Sequence, residues 1–92
     1  MIKSFRHAGL QRFFETGSKA GINPEHAPRL NRILGVLNSA TVIAQIDIPG
    51  YKPHKLNGDL AAFWAIKVSS NWRIIFKFEH SEIELIDYLD YH

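Results

Sequence analysis

Asp90, Tyr91 and His92 set a carboxylate, a phenol and an imidazole side by side at the end of the chain, where a polypeptide usually finishes in expendable polar residues. Further groups with comparable chemistry stand upstream: His54 and Lys55 in a polar stretch, and Arg73 in an apolar one. Brought together, such a set suits phosphodiester chemistry. Cutting RNA without a metal requires a base for the 2′-hydroxyl proton, a cation for the charged phosphorane and an acid for the departing 5′-oxygen. Histidine with a nearby carboxylate meets the first need, arginine or lysine the second, and a second histidine the third, because imidazole titrates close to neutrality. Each group also has a plainer reading. His54 alone is an ordinary surface-loop histidine, Arg73 an ion-paired or solvated strand residue, and the terminal residues a solvated tail with Tyr91 as an aromatic cap.

The elements around these residues decide whether they are held. Ile83-Glu84-Leu85-Ile86-Asp87-Tyr88-Leu89 reads as a strand that would fix the terminal groups to a sheet. Before it, Trp72, Ile74, Phe76 and Phe78 alternate with Arg73, Ile75 and Lys77, which puts Arg73 and Lys77 on the face opposite the aromatic row. Ala62 to Val68 is a further strand, and Ser69-Ser70-Asn71 the turn between the two. The aromatic row is core rather than a stacking platform for bases, since its alternation matches one buried sheet face. His54-Lys55-Leu56-Asn57-Gly58-Asp59 reads as a short polar loop after the Pro49-Gly50 turn signal.

The first half reads differently. Ile2 to Phe5 is a short strand, and Leu10, Phe13 and Phe14 recur at helical spacing until Gly17 stops them. Asn23 and Pro24 signal a second helix start, with the regular part beginning near Pro28. Leu30, Ile33, Leu34 and Leu37 form its packed stripe, and Arg29 and Arg32 read as a solvated face. The expectation is an α+β fold: an N-terminal strand and two helices packed on a mainly antiparallel sheet.

At 92 residues the chain is one domain, spanning 1–92, with room for a two-layer core but not for a separate cofactor domain. A net charge of +2 and a pI near 9.1 permit a polyanionic partner without demanding one. The absence of cysteine excludes disulfides and zinc-thiolate sites, and no glycine-rich phosphate loop or zincin motif occurs. No segment has the pattern of a signal peptide or a membrane span, so a cytoplasmic protein is expected.

The combined pattern is more specific than its parts: Met1-Ile2-Lys3-Ser4-Phe5, Leu56-Asn57-Gly58-Asp59, Phe63-Trp64, Asn71-Trp72-Arg73-Ile74 and the closing Asp90-Tyr91-His92. It resembles the HigB toxins of the RelE/ParE superfamily along essentially the whole chain. The resemblance implies a RelE-like, microbial-RNase-type fold that enters the ribosomal A site and cuts the messenger RNA there, with no cofactor and no metal. It also implies three partners: a HigA-type helix-turn-helix antitoxin, the 70S ribosome carrying mRNA, and operator DNA reached only through the antitoxin.

By position, the resemblance makes His54, Asp90 and His92 the proton-transfer groups, with Tyr91 positioning the message and Arg73 contacting phosphate. Lys55, Asn57 and Lys77 join Arg73 as RNA-binding residues. Family members commonly carry lysine where this chain has Asn57, and Lys55 is the nearest substitute. A neutral asparagine donates a weaker hydrogen bond to a charged phosphorane, so reduced activity or altered codon preference is implied. Two competing functions remain: a ParE-like gyrase inhibitor, and a catalytically weakened toxin kept as an antitoxin-binding corepressor.

Overall fold

The computed structural model describes residues 1–90, and the expected site groups Tyr91 and His92 lie outside the described residues. Helix α1, Ala8–Thr16, forms where Leu10 and Phe13 present an apolar face inward. His7 caps it, its Nδ1 accepting the Leu10 N–H at 2.9 Å. Gly17 ends it with φ of 81°, a left-handed conformation that lets its N–H reach the Phe13 carbonyl. Asn23 then caps a short 3-10 turn, Pro24–His26. Helix α2 runs Ala27–Ser39, with Pro28 in the first turn, where no intrahelical N–H is required.

Four strands follow: β1 His54–Lys55, β2 Phe63–Ser69, β3 Trp72–Glu79 and β4 Glu82–Asp90, in the spatial order β1-β2-β3-β4. Each neighbouring pair is antiparallel, so the expected α+β layering holds. Leu30, Ile33, Leu34 and Leu37 of α2 are fully buried with Ile66, Ile74, Phe76, Ile83 and Ile86 of the sheet. Each such side chain contributes roughly 1.5–3 kcal/mol relative to exposure, and the helix-side layer is therefore the main source of stability.

The opposite sheet face is not bare. Phe63, Ala65 and Ile75 form a second, smaller cluster there, covered in part by Leu56, Leu60, Leu85 and Leu89. Two expectations need correction. The N-terminal strand is reduced to two isolated parallel bridges, Ile2 to Ile83 and Phe5 to Ile86. The cause is a bulge in β4: Leu85 adopts φ of 54°, the β3–β4 register shifts there, and the Leu85 N–H is taken by the Ser4 hydroxyl at 2.9 Å instead of by a ladder carbonyl. His54 and Lys55, read as loop, form the edge strand β1 opposite Ala65 and Trp64. Backbone pairing with β2, invisible in their polar side chains, makes them a strand.

Candidate functional site

Register decides which groups meet. His54 stands opposite Ala65, and Lys67 of β2 stands opposite Arg73 of β3, all on the sheet face away from the helices. His54, Lys67 and Arg73 line one hollow of about 370 Å3 with Gly50, Tyr51 and Lys52. Among the described residues its walls carry the lysines 52 and 67, Arg73 and an imidazole, and no carboxylate. A larger hollow of about 520 Å3, beyond Tyr51 against α2, has Arg32 as its one charged group among the described residues, which offer no acid–base pair there.

The cationic hollow is held open from behind by Arg29. Its Nη2 donates to the carbonyls of Gly50 and Lys67, both at 2.9 Å, and its Nε donates to Lys67 at 3.2 Å. The guanidinium also lies 5.3 Å from the Tyr51 ring centroid. Arg29 was expected on a solvated face, but it ties the segment before β1 to the end of β2. Lys52, at the rim, has φ of 42°, a conformation that costs a non-glycine residue roughly 1–2 kcal/mol. Arg73 is anchored by its Nη1, which donates to the carbonyls of Ser70 and Trp72 at 3.0 and 3.1 Å. Carbonyls orient the guanidinium without cancelling its charge. His54 Nδ1 lies 3.4 Å from the Lys52 carbonyl; the tautomer that donates there leaves the Nε2 lone pair for a proton.

The other expected residues are placed differently. Lys55 points its ammonium at the Trp64 ring, 5.5 Å from its centroid, and donates to the Ala61 carbonyl at 3.4 Å. It stands opposite Trp64, on the helix side of the sheet, away from His54 and Arg73. Asn57 is exposed at the start of the 3-10 turn Gly58–Leu60. Lys77 shares the face of Arg73 as expected but forms an ion pair with Glu79 at 3.2 Å. Asp90 stands opposite Trp72 at the end of β4 and does not line the hollow. No three histidine, aspartate or glutamate side chains converge as metal ligands among the described residues.

Sequence reasoning missed one buried polar cluster. His26 is 8% exposed, its Nδ1 2.5 Å from the Tyr88 hydroxyl and its Nε2 2.7 Å from the Ser69 hydroxyl. Trp72 stacks on Tyr88 at 4.5 Å between centroids. Burial pushes the Tyr88 phenol above its usual value; the Asn23 backbone partly opposes this, and the negative charge of Asp90 adds to it. The cluster pins the N-terminus of α2 to both ends of the β2–β3 turn and to β4, two residues before Asp90. Nothing in the local sequence marks His26, because its partners lie 43 and 62 residues away.

Known proteins share both the sequence and the fold. Residues 3–92 match the family described as RelE-like toxin of type II toxin-antitoxin system HigB. A Proteus vulgaris protein named Endoribonuclease HigB is 40% identical over 92 residues, covering all of both chains. Among solved structures, the YoeB–YefM complex from Staphylococcus aureus contains a chain that superposes with a TM-score of 0.64 at 17% identity, over 100% of this chain and 95% of that one. The Staphylococcus aureus YoeB dimer gives 0.58 at 18% identity, over 99% and 94%. At such identities the structural likeness speaks for the fold, while the family match and the Proteus vulgaris relative span the sequence itself: the chain belongs to the HigB-like toxins of type II toxin-antitoxin systems.

Proposed function

We propose that this chain is an endoribonuclease that cuts messenger RNA in the ribosomal A site by metal-independent acid–base catalysis and thereby stops translation. The observation that carries the reading is the convergence of His54 and Arg73, from an edge strand and an inner strand, in one open hollow whose charged groups among the described residues are all positive. The relative named Endoribonuclease HigB supports the same chemistry.

In the proposed reaction a base removes the 2′-hydroxyl proton and the 2′-oxygen forms a bond to phosphorus. The bond to the 5′-oxygen breaks, an acid protonates that oxygen, and a 2′,3′-cyclic phosphate remains. His54, Asp90 and His92 share the two proton transfers, Tyr91 positions the message, and Arg73 meets the phosphorane with a charge-assisted hydrogen bond. Lys77 and Asn57 serve as weaker RNA contacts, and Lys55, on the other sheet face, meets the RNA away from the reacting phosphate. A hollow on an open sheet face suits a strand already unstacked and held by the ribosome, so free RNA is a poor substrate. A HigA-type helix-turn-helix antitoxin neutralises the toxin in the cytoplasm and carries it to operator DNA.

The test is primer extension on programmed 70S ribosomes with wild type, His54→Gln and His92→Gln. Cuts confined to the A-site codon and lost in both variants are the expected result. Equal cleavage of naked message would refute ribosome dependence. If wild type cuts nothing but blocks DNA supercoiling by gyrase, the ParE-like alternative replaces this reading.

A further inference from the structure

We infer that Lys67 is a second phosphate-binding cation of this site, working beside Arg73 on the RNA backbone; the inference rests on the nuclease reading above. Lys67 and Arg73 are direct cross-strand partners on β2 and β3, with their side chains on the same sheet face. Like charges in that relation oppose sheet formation, and among the described residues no carboxylate of the surrounding wall relieves them. Among the described residues Lys67 makes no ion pair, whereas Lys77 is matched to Glu79. A phosphate between the two cations removes the repulsion and gains charge-assisted bonds from both.

Lys67 also has a fixed base. Two donors of Arg29 hold its carbonyl, so the ammonium swings from an anchored point although the side chain is exposed. The alternative lysine near His54 cannot serve in the same way, because Lys55 lies on the other sheet face against Trp64. Lys67 therefore supplies the positive charge that Asn57 and Lys55 do not bring to the reacting phosphate.

Two measurements on the full chain test this, using Lys67→Gln and Lys67→Arg. In single-turnover cleavage on programmed ribosomes, Lys67→Gln slows the rate about 10- to 100-fold, less than the loss of an enclosed oxyanion donor because the side chain is exposed. Ribosome affinity stays near wild type, and Lys67→Arg retains most of the activity. In an NMR titration with inorganic phosphate, the amides of residues 54, 67 and 73 shift in wild type and in Lys67→Arg, and the affinity falls in Lys67→Gln. The thermal midpoint of Lys67→Gln equals or exceeds wild type, since a repulsion is removed. Wild-type cleavage rates in Lys67→Gln, or phosphate affinity unchanged by it, would overturn the inference. Should wild type fail to cut on ribosomes, the nuclease reading falls, while the phosphate titration still decides whether Lys67 binds the anion.

Discussion

Replacing His26 with phenylalanine tests the physical account of the buried cluster most sharply. The substitution keeps an aromatic ring against Trp72 and Tyr88, so most of the apolar contact survives. It removes both hydrogen bonds, one to Tyr88 and one to Ser69. A net loss of about 1 kcal/mol for each bond is ordinary. Tyr88 is 4% exposed and its hydroxyl cannot readily find water, which adds about 1–2 kcal/mol for an unsatisfied buried group. Ser69 is only half-buried and recovers its bond from solvent. The expected cost is therefore about 2–3 kcal/mol, or about 10–20 °C in the thermal midpoint of a domain this size. Circular dichroism melts and urea titrations read it directly. The decisive comparison is the double variant His26→Phe with Tyr88→Phe. Removing both polar partners together leaves nothing unsatisfied, so the double variant should be more stable than the sum of the single losses predicts. A loss below about 0.5 kcal/mol in the single variant, or strict additivity in the double, would refute the idea that this network is a stabilising contact.

Three further perturbations follow from the same structure. Burial and then Asp90 hold the folded Tyr88 pKa above that of the unfolded chain, despite the opposing Asn23 backbone. The unfolded state therefore loses this proton first, and stability is full below about pH 10 and declines as pH rises through the folded value. Alkaline urea titrations should show that slope, and Tyr88→Phe should abolish its share; an unchanged slope would assign it to other groups. Gly9 and Gly21 pack backbone against backbone, and a Cβ on Gly9 would sit 2.4 Å from the Gly21 carbonyl oxygen. Gly9→Ala should cost about 1–3 kcal/mol by forcing the two segments apart. Gly35→Ala, inside α2 with open space around the new methyl, should stabilise by about 0.5–1 kcal/mol. Thermal melts that rank the two variants the other way would contradict the packing.

Local pattern carried much of the scaffold. Gly17 as the stop of α1, the Leu30, Ile33, Leu34 and Leu37 stripe, and the alternation through β3 are all readable because helix and strand periodicities are properties of neighbouring residues. The edge strand β1 was not readable, since His54 and Lys55 look like loop and become strand only by pairing with β2. The β4 bulge was equally hidden. Leu85 belongs by type to any strand, and its φ of 54° follows from how Ser4 and β3 meet it. In the hollow, the face of Arg73 is legible from the strand alternation, whereas the place of Lys67 beside it is not, because their pairing depends on a turn whose register bulges between Lys67 and Ser69. Arg29 was misjudged for a related reason: its acceptors lie 21 and 38 residues downstream.

The two faces of the sheet differ in what they carry, the larger apolar layer on one and the cationic hollow on the other. The helix-side layer holds the large fully buried side chains, and β2 and β3, its central strands, also carry Lys67 and Arg73 outward. Because side chains alternate, every inward Ile66 or Ile74 fixes the position of an outward neighbour to within the rigidity of the core. The cost of crowding positive charge is then borne by a face whose own apolar cluster, Phe63, Ala65 and Ile75, is small. Arg29 couples the layers, since it rises from α2 on the stable side and ends on carbonyls of the hollow's wall. A functional face built in this way need not fold by its own contacts. It is positioned by strands that are held from behind, and that is how a short chain can keep like charges facing one another for an anion to bridge.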